Sequence, residues 1–134
     1  MKVLALDYGL ARTGVAVSDP TGTVARPLGV VELAAEEAGL ARVVELARTE
    51  EAERIVVGLP ITLRGAAGEQ AAETERFVEA LRGATDLPVD TFDERFTTKL
   101  AQASQAAGSG APEDALAAAH LLTTYLEWLS ARPT

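Results

Sequence analysis

Two short stretches that offer no polar side constrain this chain most. In residues 2–8, Val3 and Ala5 alternate with Leu4 and Leu6, so both faces of the predicted strand are apolar and it belongs inside a sheet. Residues 54–59 are a second such strand, rich in β-branched side chains and closed by Pro60. Gly9 and the polar Arg12-Thr13 interrupt the first run. Gly14-Val15-Ala16-Val17 resumes it, which predicts a hairpin with more than two loop residues. Asp19-Pro20-Thr21-Gly22 marks another turn, and residues 23–31 read as a third strand that Pro27 assigns to an edge or a bulge.

The period then changes. Across residues 32–52, Leu40, Val43, Val44, Leu46 and Ala47 recur at helical spacing, with Glu36, Glu37, Arg42, Glu45 and Arg48 outside them. Residues 61–68 form a loop containing Arg64. Residues 69–82 form a second amphipathic helix with Ala72, Phe77, Val78 and Leu81 on its core side. A fifth strand spans 88–92, a helix capped by Thr97 or Thr98 runs to about residue 107, and a last helix spans 113–130 after a Gly/Ser/Pro break. The order βββαβαβαα predicts an α/β fold: a mixed five-stranded sheet with helices packed on it, compatible with the ribonuclease H-like fold.

Length and composition narrow the function. The 134 residues suit one domain, spanning 1–134, with a sizeable core. Without cysteine there is no disulfide framework, thiolate zinc site or cysteine nucleophile, and a cytoplasmic setting is expected. No apolar run is long enough to cross a bilayer, and the stretch after Lys2 meets Asp7 too soon for a leader. The formal net charge of −8 argues at first against a nucleic-acid partner.

Three acids stand at the ends of elements: Asp7, one of the adjacent Asp93 and Glu94, and Asp114. Read alone, each has a structural explanation. Asp7 suits a turn bonded to backbone amides, while the others suit the first turn of a helix, where anions meet the dipole. Alternation along a strand lets only one of Asp93 and Glu94 share a site with Asp7. The alanines after Asp114 would let its helix lie close against the sheet. Together, three converging carboxylates repel one another unless a cation joins them. Mg2+ or Mn2+ suits such oxygen donors, and one or two ions could support phosphodiester hydrolysis without a histidine or a covalent nucleophile. The single histidine, His120, lies mid-helix and reads as a packing or surface residue. The Asp-Tyr-Gly hairpin also resembles the phosphate-binding turn of the actin and sugar-kinase superfamily, which keeps a nucleotide-binding ATPase in view. A non-catalytic ribosome or nucleic-acid adaptor is a further alternative.

Several motifs, in order and over nearly the whole chain, resemble those of the YqgF/RuvX family. They are Leu6-Asp7-Tyr8-Gly9, Arg12 through Asp19, Val57-Gly58-Leu59-Pro60, Pro88-Val89, Asp93-Glu94-Arg95 with Thr97-Thr98, and Asp114 with Ala117-Ala118 and Tyr125-Leu126. The resemblance implies a bacterial ribonuclease H-like nuclease, either a pre-16S rRNA nuclease or a Holliday junction resolvase. It implies Asp7, Glu94 and Asp114 as catalytic, metal-binding acids, with Asp93 as a neighbour behind them. Arg12 and Arg95 would contact phosphate or orient carboxylates, and Arg64 and Lys99 are further candidates for substrate binding. The expected partners are pre-rRNA or branched DNA and a ribosomal precursor particle, with the chain acting as a monomer or homodimer.

The charge is compatible with this expectation once its distribution is considered. Eleven of the 20 acids fall within residues 32–53 and 69–79, on helices whose outer faces meet solvent. Three more are the proposed ligands. Arg12, Arg26, Arg64, Arg95 and Lys99 are expected beside the site. Weak, salt-sensitive binding that depends on metal follows.

Overall fold

The computed structural model describes residues 1–60, 68–94 and 112–131. Strands β1 (Val3–Asp7), β2 (Arg12–Ser18) and β3 (Ala25–Glu32) form an antiparallel meander. Helix α1 (Glu37–Thr49), β4 (Arg54–Leu59), α2 (Glu69–Ala84), β5 (Val89–Asp93) and α3 (Glu113–Ala131) follow. The sheet order is β3-β2-β1-β4-β5, with β4 parallel to both β1 and β5. The expected mixed five-stranded sheet is therefore present. The predicted helix within 97–107, the loop at 61–67, Arg64, Arg95, Lys99 and the two threonines lie outside the described residues.

β1 is central because it has nothing polar to offer. Leu4 and Leu6 enter one core with Val43 and Ala47 of α1 and Phe77, Val78 and Leu81 of α2. Val3 and Ala5 enter a second core with Ala118, Ala119, Leu122 and Tyr125 of α3. Helices thus cover both faces, as a strand apolar on both sides requires. His120 is 3 % exposed within α3, a packing position. On the α3 side, the Tyr125 hydroxyl donates to Asp90 Oδ2 at 2.9 Å and accepts from Arg54 Nη1 at 3.2 Å. This fixes the far half of α3 against β4 and β5.

Four expectations need correction. Helix α1 does not begin at Glu32: that residue pairs with Arg12 in the sheet, and the Leu33 amide donates to the Ala11 carbonyl at 2.9 Å. Leu33 then turns the chain at φ 48°, so the helix waits until Glu37. β3 begins at Ala25, because Asp19 draws the amides of Thr23 and Val24 into its turn, at 2.8 and 2.9 Å. Pro27 lies, as expected, on an edge strand and beside a register shift. On α2 it is Ala71, not Ala72, that is buried with Thr74, Phe77, Val78 and Leu81. Finally, Arg26 is not beside the acids. It pairs with Glu50 at 3.3 Å, near Lys2 at the opposite end of β1.

Candidate active site

Alternation along β1 assigns Asp7 to the face of Val3 and Ala5, the one α3 covers. Asp7 pairs with Gly14 of β2, and at Gly14 the first turn of α3 comes close against the sheet. A Cβ on Gly14 would stand 1.8 Å from the Asp114 carbonyl oxygen, so only a bare backbone admits the first turn of α3 here. This close approach, which the alanines after Asp114 anticipated, brings Asp114 beside the end of β1.

A second strand glycine accommodates Glu94. A Cβ on Gly58 would lie 2.6 Å from Glu94 Oε1 and 3.0 Å from both Glu94 Cγ and Leu121 Cδ2. The Glu94 side chain therefore folds over β4 on the α3 face and meets Asp7. Asp93, one residue earlier, belongs to the opposite face, so alternation selects Glu94 as Asp7's partner. Neither glycine is among the site residues expected from the sequence, although a glycine interior to a strand is itself a signal of close approach. Gly58→Ala should leave the fold intact, since the atoms it meets are side-chain atoms. It should lower any catalysis that depends on Glu94 by about a hundredfold through misplacement. A thermal melt beside a single-turnover assay checks this, and an unchanged rate would show that Glu94's position is immaterial.

Asp7 and Glu94 share a hydrogen bond between carboxyl groups. Burial pushes Glu94 up to about 8 from an ordinary value of 4.5, reinforced by its bond to Asp7 and by the charges of Asp7 and Asp93. Asp7 is also raised, by burial foremost; the bond from Glu94 opposes this and the charge of Asp114 adds to it. Both acids therefore hold a proton more strongly than an isolated carboxyl does, Glu94 above all. Between about pH 4.5 and 8 the folded protein holds a proton that the unfolded chain has lost. Stability of the metal-free protein should therefore fall as pH rises through that window. Glu94→Gln should flatten the decline, which denaturant titrations at pH 5 and pH 8 in the presence of a chelator would measure.

Asp114 faces a different partner. Arg12 Nη2 lies 2.8 Å from Asp114 Oδ2, an ion pair across the mouth of the site. Among the described residues that oxygen accepts no hydrogen bond, so the guanidinium meets it off the N–H axis. Among the described residues, no three acids or histidines stand close enough to hold an ion between them. The carboxyl pair is assembled, whereas the third acid is adjacent and engaged elsewhere. On the other side of the β1 terminus, a cavity of about 440 Å³ is lined by Tyr8, Gly9, Leu10, Glu69, Gln70 and Glu73. Its two glutamates disfavour a phosphate there.

Comparison with known proteins gives a consistent picture. Residues 1–128 match the family model described as "RuvX: Holliday junction resolvase". A protein of Chloroflexus aurantiacus named "Putative pre-16S rRNA nuclease" is 37 % identical, over 98 % of this chain and 90 % of its own. One of the same name from Sulfurihydrogenibium sp. is 41 % identical, over 96 % and 92 %. Among solved structures, T. thermophilus RuvC in complex with a Holliday junction substrate superposes with a TM-score of 0.61 at 23 % identity. That alignment covers 100 % of this chain and 99 % of the other. The fold is thus the ribonuclease H-like one of the RuvC resolvases. Among the described residues, no helix is long and apolar enough to cross a membrane.

Proposed function

Since the chain belongs to the RuvX family, we infer that it is a divalent-metal-dependent endonuclease that hydrolyses phosphodiester bonds in structured nucleic acid. The reading takes residues 1–134 as one nuclease domain working in the cytoplasm. It rests above all on one observation: two half-buried carboxyls from distant parts of the chain, Asp7 and Glu94, meet at the end of the sheet, with Glu94 folded over Gly58. A pair of this kind, with Asp114 beside it, stores negative charge that a hard cation relieves better than a proton does.

The donor set fits Mg2+ or Mn2+. Asp7, Glu94 and Asp114 offer only carboxylate oxygens, and the chain has no cysteine to draw a softer metal. One or two such ions would supply an activated water and charge stabilisation at the leaving oxygen. Asp7 interacts with both other acids, so Asp7, Glu94 and Asp114 together would hold such an ion. For Glu94 to become a ligand, the proton it holds must leave, so activity should rise towards pH 8 as this group ionises. Arg12, at the open rim, would take a substrate phosphate; Arg64, Arg95 and Lys99 are proposed to extend that contact.

The names of the curated relatives support pre-16S rRNA as the substrate; its 5′ end is the proposed point of cleavage, with recognition aided by the ribosomal precursor particle, since a chain of net charge −8 binds bare nucleic acid weakly. The family description supports a second reading, resolution of branched DNA. Paired cuts across a junction suit a homodimer, whereas one rRNA cut does not require it. Incubating the protein with a pre-16S leader and with a four-way junction, in Mg2+ and Mn2+, separates the two. A single cut in the leader alone supports the first, and symmetric nicks in the junction support the second. No cleavage of either would overturn the nuclease reading.

A further inference from the structure

Cleavage chemistry does not account for the pairing of Arg12 with Asp114. Arg12 opens β2 with a side chain 64 % exposed, yet its guanidinium reaches an Asp114 oxygen shielded from solvent, at 2.8 Å. The contact lacks hydrogen-bond geometry, and an ion pair with one partner this exposed holds weakly. A guanidinium prefers a planar, two-pronged oxyanion contact, which a phosphate offers and this one does not. Meanwhile the backbone of the first α3 turn is fixed against Gly14, so the Asp114 carboxylate can change partner by side-chain rotation alone.

We propose that Arg12 is a substrate-operated latch on Asp114. In the free protein Arg12 holds the Asp114 carboxylate away from Asp7 and Glu94. An arriving phosphate takes the guanidinium, and the released carboxylate completes the three-acid site. Arg12 is then a positioning residue as well as a phosphate contact, and the latch rests on the nuclease reading. Its consequence is thermodynamic: metal and nucleic acid each raise the other's affinity by the same factor. An ion then binds tightly only where there is a phosphate to cut.

The test is a Mn2+ titration of the full chain without nucleic acid, followed by electron paramagnetic resonance of the free ion. Arg12→Ala should raise Mn2+ affinity about fivefold or more, because Asp114 is no longer held. Losing a nearby positive charge would also favour a cation, so the same substitution is made in an Asp114→Asn background. There the latch predicts a change under about twofold, since nothing remains to release. An unchanged affinity would reduce Arg12 to a phosphate contact, and a lowered one would make it a strut that orients Asp114. An equal gain in both backgrounds would mean charge alone. Each of these overturns the latch and leaves the nuclease reading standing. If neither wild type nor Arg12→Ala takes up Mn2+, the nuclease reading falls and the latch falls with it.

Discussion

Asp7→Asn is expected to lower metal-dependent cleavage by at least about a thousandfold while leaving the folded protein as stable as wild type or more so. The two halves of this result have one cause. Asp7 is half-buried against Glu94 and feels the charge of Asp114, so its ionised form is disfavoured in the metal-free protein. An amide of the same shape removes that charge and can still accept a hydrogen bond from Glu94. It cannot serve as the shared anionic ligand. Stability and activity should therefore move in opposite directions, as at sites that keep unfavourable charge for a purpose. Single-turnover cleavage and a thermal melt at pH 8 with chelator measure the two. Cleavage at the wild-type rate would remove Asp7 from the mechanism.

Gly14→Ala should have the largest effect on the fold, about 3 kcal/mol of destabilisation or roughly 10 °C in Tm. Its methyl would stand 1.8 Å from the Asp114 carbonyl oxygen, 2.3 Å from the carbonyl carbon and 3.0 Å from the Ala115 amide nitrogen. These are backbone atoms, so the only relief is for α3 to lift its first turn off the sheet. That would loosen the core formed by Val3, Ala5, Ala118, Ala119 and Leu122 and carry Asp114 away from Asp7. The contrast with Gly58 is informative. There the obstructing atoms belong to the Glu94 and Leu121 side chains, so the site should suffer and the fold should not. A Gly14→Ala protein that melted with the wild type would show that α3 does not pack as closely as described.

Much of this architecture can be read from the residue pattern, for physical reasons. Strands apolar on both faces have one place to go, which is why β1 and β4 were legible as interior strands. Alternation is as strict as the pleat itself. It puts Asp93 and Glu94 on opposite faces without saying which joins Asp7, a choice that the family resemblance supplies. What escaped depends on particular close approaches rather than periods. Ala71 and Ala72 are equivalent by composition, and only the rotation of α2 against Phe77 and its neighbours decides which one is buried. The extension of β3 through Glu32 depends on its pairing with Arg12 and on Leu33 adopting a left-handed turn, which the helical spacing of the later leucines and valines conceals. The bond network of Arg54, Asp90 and Tyr125 joins three elements through side chains whose spacing carries no signal. The pairing of Arg12 with Asp114 is of the same kind: both residues were candidates, but their contact follows from the seating of α3 on Gly14.

Charge also takes on a local meaning. The acid-rich outer faces of α1 and α2, with Glu37, Glu45, Glu75 and Glu79 exposed, account for much of the −8. At the site itself, a raised affinity of Glu94 for its proton and a guanidinium beside Asp114 offset the acids. On the present reading, both are stand-ins for the cation.

Whether these carboxylates hold a divalent ion can be read from anomalous scattering by a crystal equilibrated with Mn2+. A peak bonded to carboxylate oxygens of both Asp7 and Glu94 is the predicted result. Saturating Mn2+ with no peak between them, or with the ion held by other residues, would contradict it.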